Sequence, residues 1–442
     1  MSLQRTPPRR VRVNRARAIP RGLTSGGATL VLLLLAACGD SSGPDGGGAG
    51  ATVSGTVRAA GSSAALADAT VSVGARQATS DANGRFELTE VPIGAATIRA
   101  ERPGYLPAGE AITITAGANS HDFALTPQEI YVSGSNAAYV PAGVGPMRGA
   151  IVVLGGPVTS GFVTGERIAP ANNPDLEVSL QALGASLRAL ARSKLVALLG
   201  SSIIGMSNSA TSDNALFAAL GTIARLSGRA EIADATVLMF GLSAGGPEAA
   251  GLVSRHPDRA IGLLERVPVD VTALTAPAAL AVPTFVMQAQ LDIVVDNAAV
   301  QATFSGNRAL GGLWALAVEP GVGHSEASSR GNAAVISWIG DVLALRLPAT
   351  SGDPLIGLAE SSGWLGNQAT LEIAAWADYP DDRTAASWLL SQPAAASWKE
   401  LGTLPDVDPV LLRGILQHPG EYYVNVHTTE FPSGAIRSRL ER

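Results

Sequence analysis

Thr236-Val237-Leu238-Met239-Phe240-Gly241-Leu242-Ser243-Ala244-Gly245-Gly246-Pro247 is the stretch on which the fold turns. Thr236–Phe240 is a short apolar run with no polar face, the pattern of a strand buried on both sides. Pro247–Arg255 follows with helical character, so Ser243 falls on a strand-to-helix turn. Such a turn leaves no room for side chains and strains the serine's backbone, which explains the glycines on either side of it. The Gly-x-Ser-x-Gly pattern alone has little force in a chain with 50 glycines. Gly39-Asp40-Ser41-Ser42-Gly43 matches it equally well in a stretch with neither strand nor helix beside it. Context selects Ser243.

From about residue 128 to 402 the same texture recurs on both sides of this turn. Gly149–Leu154, Leu195–Leu199, Thr284–Met287 and Leu313–Val318 read as buried strands, and Leu176–Ala191 and Asn214–Ser227 as amphipathic helices. Strands alternating with helices imply an α/β domain with a mainly parallel sheet covered on both faces.

A serine hydroxyl is a poor nucleophile at neutral pH and needs a base, normally a histidine held in one tautomer by a carboxylate. His324, in Pro320-Gly321-Val322-Gly323-His324-Ser325, follows the strand-like Leu313–Val318 and is the base the spacing favours. His256 lies at the end of the helix that starts behind Ser243, where an imidazole interacts with the helix dipole. For the carboxylate, chain order asks for an acid between Ser243 and His324. Asp292, after the strand ending near Gln288, fits best, with Asp296 and Asp270 as alternatives. An oxyanion would be held by the backbone N–H of Ala244 and by one from Gly155-Gly156-Pro157, after the strand Gly149–Leu154. Gly156 is preferred to Gly155, and Pro157 has no N–H to offer.

Taken together, Tyr139-Val140-Pro141, the Gly-Gly loop, Gly-Leu-Ser-Ala-Gly-Gly, Arg255-His256-Pro257-Asp258-Arg259 and the Asp and His loops resemble α/β-hydrolases, nearest to the poly(3-hydroxybutyrate) depolymerase and feruloyl-esterase-like branch. The resemblance implies the α/β-hydrolase fold and a serine esterase that works through an acyl-enzyme, with no metal and no cofactor. The histidine of the family's common His-Gly-Gly loop is missing, and the usual glycine before the acid loop is Ala289. Two alternatives remain open: a binding or adhesion protein on a hydrolase fold without chemistry, and an amidase or peptidase using the same three residues.

Residues 53–126 carry a different pattern, of short alternating strands such as Val53–Val57, Ala69–Val73, Arg85–Leu88 and Ala111–Ile114, separated by turn residues including Asp81-Ala82-Asn83-Gly84. Thr79–Phe86, Val91-Pro92-Ile93-Gly94 and Pro103-Gly104-Tyr105 resemble the carboxypeptidase regulatory-like domain, which implies a small seven-stranded transthyretin-like sandwich serving as spacer or adhesion module. His121 reads as a surface residue in a turn of this domain.

The first 37 residues resemble a bacterial lipoprotein signal. Seven arginines between Arg5 and Arg21 precede the apolar run Ala28–Ala37, and Leu35-Ala36-Ala37-Cys38 matches a lipobox, making Cys38, the only cysteine, the expected lipidation site. Residues 38–52 read as a flexible tether. The expected location is the bacterial cell envelope, held to a membrane through lipidated Cys38, the outer membrane being favoured by Gly39. Plain secretion is the alternative.

At the other end, Trp364, Trp376, Trp388 and Trp398 lie beyond the expected last helix of the hydrolase. They would either line a pocket or form an appendage packed on the sheet, the second being the simpler. Residues 404–442 read as a β-hairpin resembling the terminal strands of the CHRD domain, with the rest of that domain missing and His427 in a structural place on a strand. A composition of 46% hydrophobic and 15% charged residues describes a folded chain, and a net charge of −6 with no basic stripe outside the N-terminus excludes nucleic acid as a partner. The expected partner is instead an ester, small or polymeric.

Overall fold

The computed structural model describes residues 50–155, 159–166, 174–201, 209–271, 274–403, 423–426 and 436–439. The signal sequence, Cys38 and most of the tether lie outside these residues, as do Gly156 and His427.

The N-terminal part is all-β. Its strands are β1 (Ala51–Ala59), β2 (Thr70–Val73), β3 (Arg76–Thr79), β4 (Arg85–Val91), β5 (Gly94–Glu101), β6 (Ala108–Ile114), β7 (Ala118–Ser120) and β8 (Phe123–Leu125). One sheet has β1 at its centre, between β4 and the pair β7 and β8, and the other runs β3-β2-β5-β6. Alternate residues point inward, among them Val53, Val57, Phe86, Leu88, Val71, Ile98 and Phe123. The expected seventh strand is broken in two: β7 pairs with Thr52–Ser54 and β8 with Val57–Ala59 of the same partner strand. At the break the Asp122 carboxylate accepts hydrogen bonds from the Thr56 amide and hydroxyl at 2.7 and 2.8 Å. Gly55 is required opposite, because a Cβ there would lie 1.7 Å from the His121 carbonyl oxygen. His121 is less exposed than a turn residue should be: its imidazole packs edge-on against Phe123, with centroids 4.7 Å apart. β3 has no fully buried residue and β5 carries two charges among its eight, so neither shows the apolar alternation that exposes β1 and β4 in the sequence.

The second part is built on an eight-stranded sheet of β9 (Ile130–Ser133), β10 (Asn136–Tyr139), β11 (Gly149–Leu154), β12 (Val196–Ser201), β13 (Val237–Leu242), β14 (Ala260–Arg266), β15 (Thr284–Ala289) and β16 (Trp314–Glu319). Across the sheet the order is β9-β10-β12-β11-β13-β14-β15-β16. β9 and β10 are antiparallel to their neighbours and the remaining pairs are parallel. The five strands anticipated from apolar runs are all present, with ends shifted by one or two residues. Every residue of β11, β12, β14 and β15 is buried, as a strand covered on both faces requires.

The helices are α1 (Thr159–Thr164), α2 (Pro174–Lys194), α3 (Ala210–Ser227), α4 (Gly246–Arg255), α5 (Pro277–Leu280), α6 (Asn297–Ala309) and α7 (Ser329–Arg346). Two cores flank the sheet. Ile151, Val153, Leu238 and Phe240 face Leu183 and Leu187 of α2 and Val335 and Ile339 of α7. Val152, Leu154, Val237 and Met239 face Leu216 and Leu220 of α3 and Ala249 and Val253 of α4. From β11 the chain moves outward to β12 and then returns to the other side of β11 as β13. Beyond the C-terminal ends of β11 and β13, at such a reversal, is where α/β sheets place their sites.

The two parts meet at the other pole. α3 runs back from the C-terminal edge of the sheet, so its last turn lies at the N-terminal edge. There Gly104, in the turn after β5, donates its N–H to the Leu226 carbonyl at 3.1 Å. The fit requires glycine on both surfaces: a Cβ on Gly104 would meet the Ser227 carbonyl oxygen at 2.7 Å, and one on Gly228 would meet the Pro103 side chain at 3.2 Å. Ala59 and Ala60, at the end of β1, line the same cleft as Val140 and Arg229 of the α/β part.

Beyond α7 come β17 (Trp364–Gly366), β18 (Ile373–Ala375), β19 (Ser387–Leu389), α8 (Gln392–Gly402) and the hairpin of β20 (Tyr423–Val426) with β21 (Ile436–Arg439). β19 and α8 cover the free edge of the large sheet at β16. The Leu316 amide donates to Ser387 Oγ at 2.9 Å, and its carbonyl accepts from Trp398 Nε1 at 2.6 Å. Arg308 of α6, with no exposed surface, reaches the Ala386 and Arg383 carbonyls and the Glu360 carboxylate. Trp388 and Trp398 are buried in the core on the α2 and α7 face, so packing, not pocket lining, is what the structure gives them.

Candidate active site

The sequence around Ser243 folds as its glycines require. β13 ends at Leu242, Ser243 starts a single 3-10 turn, and α4 follows at Gly246. Ser243 has φ of +50°, a left-handed conformation that costs a non-glycine residue energy and is retained where surrounding structure enforces it. A Cβ on Gly241 would come within 2.7 Å of the Gly246 Cα, and one on Gly245 within 2.2 Å of the Leu154 carbonyl oxygen. The turn is thus pressed against the end of β11. Ala244, the expected first oxyanion donor, is exposed. Gly156, the expected second, lies outside the described residues.

Ser243 Oγ lies 2.9 Å from His324 Nε2, and His324 Nδ1 lies 2.7 Å from Asp292 Oδ2. The structure brings serine, imidazole and carboxylate into one hydrogen-bonded line from three loops at the C-terminal edge of the sheet. The Asp292 side chain has no exposed surface and that of His324 is 16% exposed. The second Asp292 oxygen accepts from the Val294 and Val295 amides at 2.8 and 3.1 Å, which fixes the carboxylate's rotation. In this arrangement an imidazole can take a proton from the serine hydroxyl while the carboxylate holds its other N–H.

The two alternative acids are employed elsewhere. Asp296 is the N-cap of α6, its carboxylate accepting from the Ala298 and Ala299 amides. Asp270 is exposed and bonds the adjacent Val271 amide. His256 also has a partner beyond the helix dipole: its Nε2 is 3.0 Å from Asp213 Oδ2, beside the two bonds from Arg255 to the same carboxylate. Burial pushes the Asp213 carboxyl up, and Arg255 and His256 more than offset it, leaving it below its ordinary range.

Several residues that hold the loops together have no sequence motif. The Asp and His loops are laced by backbone: the Gln290 amide donates to the Glu319 carbonyl and the Leu291 amide to the Val322 carbonyl, each at 2.9 Å. Gln290 adds its side-chain oxygen, which accepts from the Gly321 amide at 2.9 Å. The His loop is closed at its base by Ser328, the N-cap of α7, whose hydroxyl donates to the buried Glu319 carboxylate. Arg266 approaches the same carboxylate at 3.9 Å and donates to Asn332 Oδ1 at 2.9 Å. Burial lowers the Arg266 pKa, with Glu319 acting in the opposite direction.

Beside the turn, Glu265 on β14 is fully buried and neither carboxylate oxygen has a hydrogen-bond partner. Burial, with a contribution from Asp270, raises its pKa well above the carboxylate range, which favours the neutral acid. Val267 follows at φ +45°, and the Val269 amide donates to the Ser243 carbonyl at 3.2 Å.

Comparison with family models places a carboxypeptidase regulatory-like domain at residues 52–126 and a CHRD domain at residues 347–440. The second match is longer than the segment 404–442 read from the sequence. It starts at Leu347, so the tryptophan-bearing segment with β17, β18, β19 and α8 falls within the CHRD match, which is not confined to the residues after 404. The terminal hairpin alone carried the recognisable motif. Comparison with curated proteins gives no match.

Among solved structures, a type II cohesin–X-dockerin complex from Acetivibrio cellulolyticus is similar at 26% identity over 17% of this chain, with a TM-score of 0.16. The chain spans about half of that protein, 53%. Esterase PE8 is similar at 18% identity over 49% of this chain and 100% of its own, with a TM-score of 0.34. A cold-adapted esterase from an Arctic intertidal metagenomic library is similar at 15% identity, covering 46% of this chain and 86% of its own, with a TM-score of 0.32.

Proposed function

We propose that the α/β part is an α/β-hydrolase domain acting as a serine esterase, with Ser243 as nucleophile, His324 as base and Asp292 as the group that orients it. The observation that carries the reading is the line from Ser243 Oγ through His324 to the buried Asp292, at 2.9 and 2.7 Å, at the topological reversal of the sheet. His324 Nε2 takes the Ser243 proton as Oγ attacks the ester carbonyl carbon. The resulting oxyanion is received by the Ala244 N–H, together with a donor from the loop after β11, for which Gly156 is the candidate. His324 then passes its proton to the departing alkoxide, leaving an acyl-Ser243. Water attacks that acyl group by the same route, giving its proton to His324 and releasing the acid and the free serine. Asp292 holds the His324 Nδ1–H through the cycle and stabilises the imidazolium.

The test is hydrolysis of p-nitrophenyl acetate together with labelling by a fluorophosphonate, which reacts only with an activated serine. Ser243→Ala is expected to abolish both. A Ser243→Ala protein that keeps its hydrolysis refutes the assignment, and a wild-type protein that neither labels nor cleaves is a binding module on a hydrolase fold. We further infer a lipid-anchored cell-envelope location through Cys38. It rests on the arginine-rich start, the apolar run and the Leu-Ala-Ala-Cys motif. Incorporation of labelled palmitate into the wild type and not into Cys38→Ser is the expected result.

A further inference from the structure

We propose that the Ser243 site is rimmed by an aliphatic landing surface for the hydrocarbon part of an uncharged ester, so that its preferred substrates carry long acyl chains. This rests on the esterase reading above and goes beyond it in naming the substrate class. Of the eleven large hydrophobic side chains exposed among the described residues, one lies on the loop after β14, which is bonded to the Ser243 turn, and three on the loop that carries Asp292. These are Val269, Leu291, Ile293 and Val294, exposed by 41, 60, 79 and 62%. Apolar side chains scattered singly over a surface need no explanation, whereas a group of them around a crevice marks a contact surface.

Their placement ties them to the reacting atoms. The Val269 amide is bonded to the Ser243 carbonyl, which sets this residue against the nucleophile. Leu291 is bonded through its amide to Val322, two residues before His324. Asp292 accepts from the amides of Val294 and Val295, so Ile293 stands at the tip of a turn directed into solvent. That turn needs only the Asp292 carboxylate and backbone N–H groups. Any residue with a backbone N–H serves at 291 and 294, and the turn asks for no particular side chain at 293, yet all three are branched aliphatics. Internal packing does not account for them either, since the core residue of this loop is Val295, at 8% exposure.

The border of the surface is acidic. Asp270 and Asp296 are exposed beside it, both accepting from backbone amides as carboxylates do. An apolar centre with an acidic border favours a neutral hydrocarbon chain and repels an anionic lipid surface.

The test compares p-nitrophenyl decanoate with p-nitrophenyl acetate, both as dissolved monomers, on the full chain. In the Ile293→Ser/Val294→Ser protein, which keeps Asp292 and every backbone amide of the turn, the decanoate-to-acetate ratio of kcat/KM is expected to fall by at least about tenfold, the change that losing a couple of methylene contacts produces. Ile293→Phe, which enlarges the apolar tip, keeps the ratio at or above the wild-type value. A ratio that stays within twofold in the serine variant overturns the rim while leaving the esterase reading intact. A wild type that cleaves neither ester overturns both. A dimer in sedimentation that dissociates in the serine variant, with no change in the ratio, assigns the surface to a second copy of the chain and overturns the proposal.

Discussion

Replacing Asp292 by asparagine tests the hydrogen-bonded line at its most informative point, because the structure dictates how the new amide must sit. One carboxylate oxygen accepts from two backbone amides, Val294 and Val295, and only an oxygen can take that position. The amide nitrogen of asparagine is therefore forced toward His324 Nδ1, 2.7 Å away in the wild type. Two donors cannot share that contact, so the imidazole adopts the tautomer with Nδ1 bare and the proton on Nε2. Nε2 then faces Ser243 Oγ with a hydrogen and cannot accept the serine's proton. A wrong tautomer of this kind lowers kcat by roughly four orders of magnitude, equivalent to about 5.5 kcal/mol of lost transition-state stabilisation. The turn keeps its two backbone bonds, so stability should change by less than about 1 kcal/mol. Steady-state hydrolysis of p-nitrophenyl acetate and a urea melt measure the two effects. An Asp292→Asn protein that folds normally and retains more than a tenth of the wild-type kcat refutes the role of Asp292.

Two further outcomes follow from the residues beside Ser243. Gly245→Ala would force a Cβ to within 2.2 Å of the Leu154 carbonyl oxygen, so the turn must move. Loss of fluorophosphonate labelling and a destabilisation of about 1–3 kcal/mol in urea are expected, and full labelling would show that the glycine is not needed. Glu265 is held neutral by burial, its folded pKa well above the unfolded value. Native protein therefore keeps a proton that the unfolded chain releases, and wild-type stability falls as pH rises above about 4.3, by up to about 1.4 kcal/mol per unit, until the folded pKa is reached. Glu265→Gln lacks that proton, so its stability relative to wild type should climb as pH rises from the ordinary carboxylate value toward the raised folded pKa. A difference that stays constant over that range would show that Glu265 is not buried as a neutral acid.

The parts of the fold visible in the sequence are those where burial is two-sided. β11, β12 and β15 have no exposed residue and show as unbroken apolar runs, and β13 with its flanking glycines makes Ser243 stand out from Ser41. β9 and β10, on the antiparallel edge, mix buried positions with half-buried or exposed ones over four residues each, and nothing in four such residues marks a strand. His324 and Asp292 are legible by order and loop, while the choice among the aspartates is set by orientation. One signal was available for Asp296: an aspartate directly before the helical run Asn297–Ala309 is the composition of an N-cap. Gln290 left no trace because its partner is a backbone amide on another loop, and Glu319 and Ser328 none because they meet only when the His loop between them closes on itself.

The docking of Gly104 on the last turn of α3 has a consequence for access. The last turn of α3 lies at the N-terminal edge of the large sheet, whereas Ser243 follows β13 at the C-terminal edge, so the sandwich docks on the edge away from Ser243. Exchanging the sandwich for a bulkier domain at this junction would therefore load the far edge and leave the approach to Ser243 open.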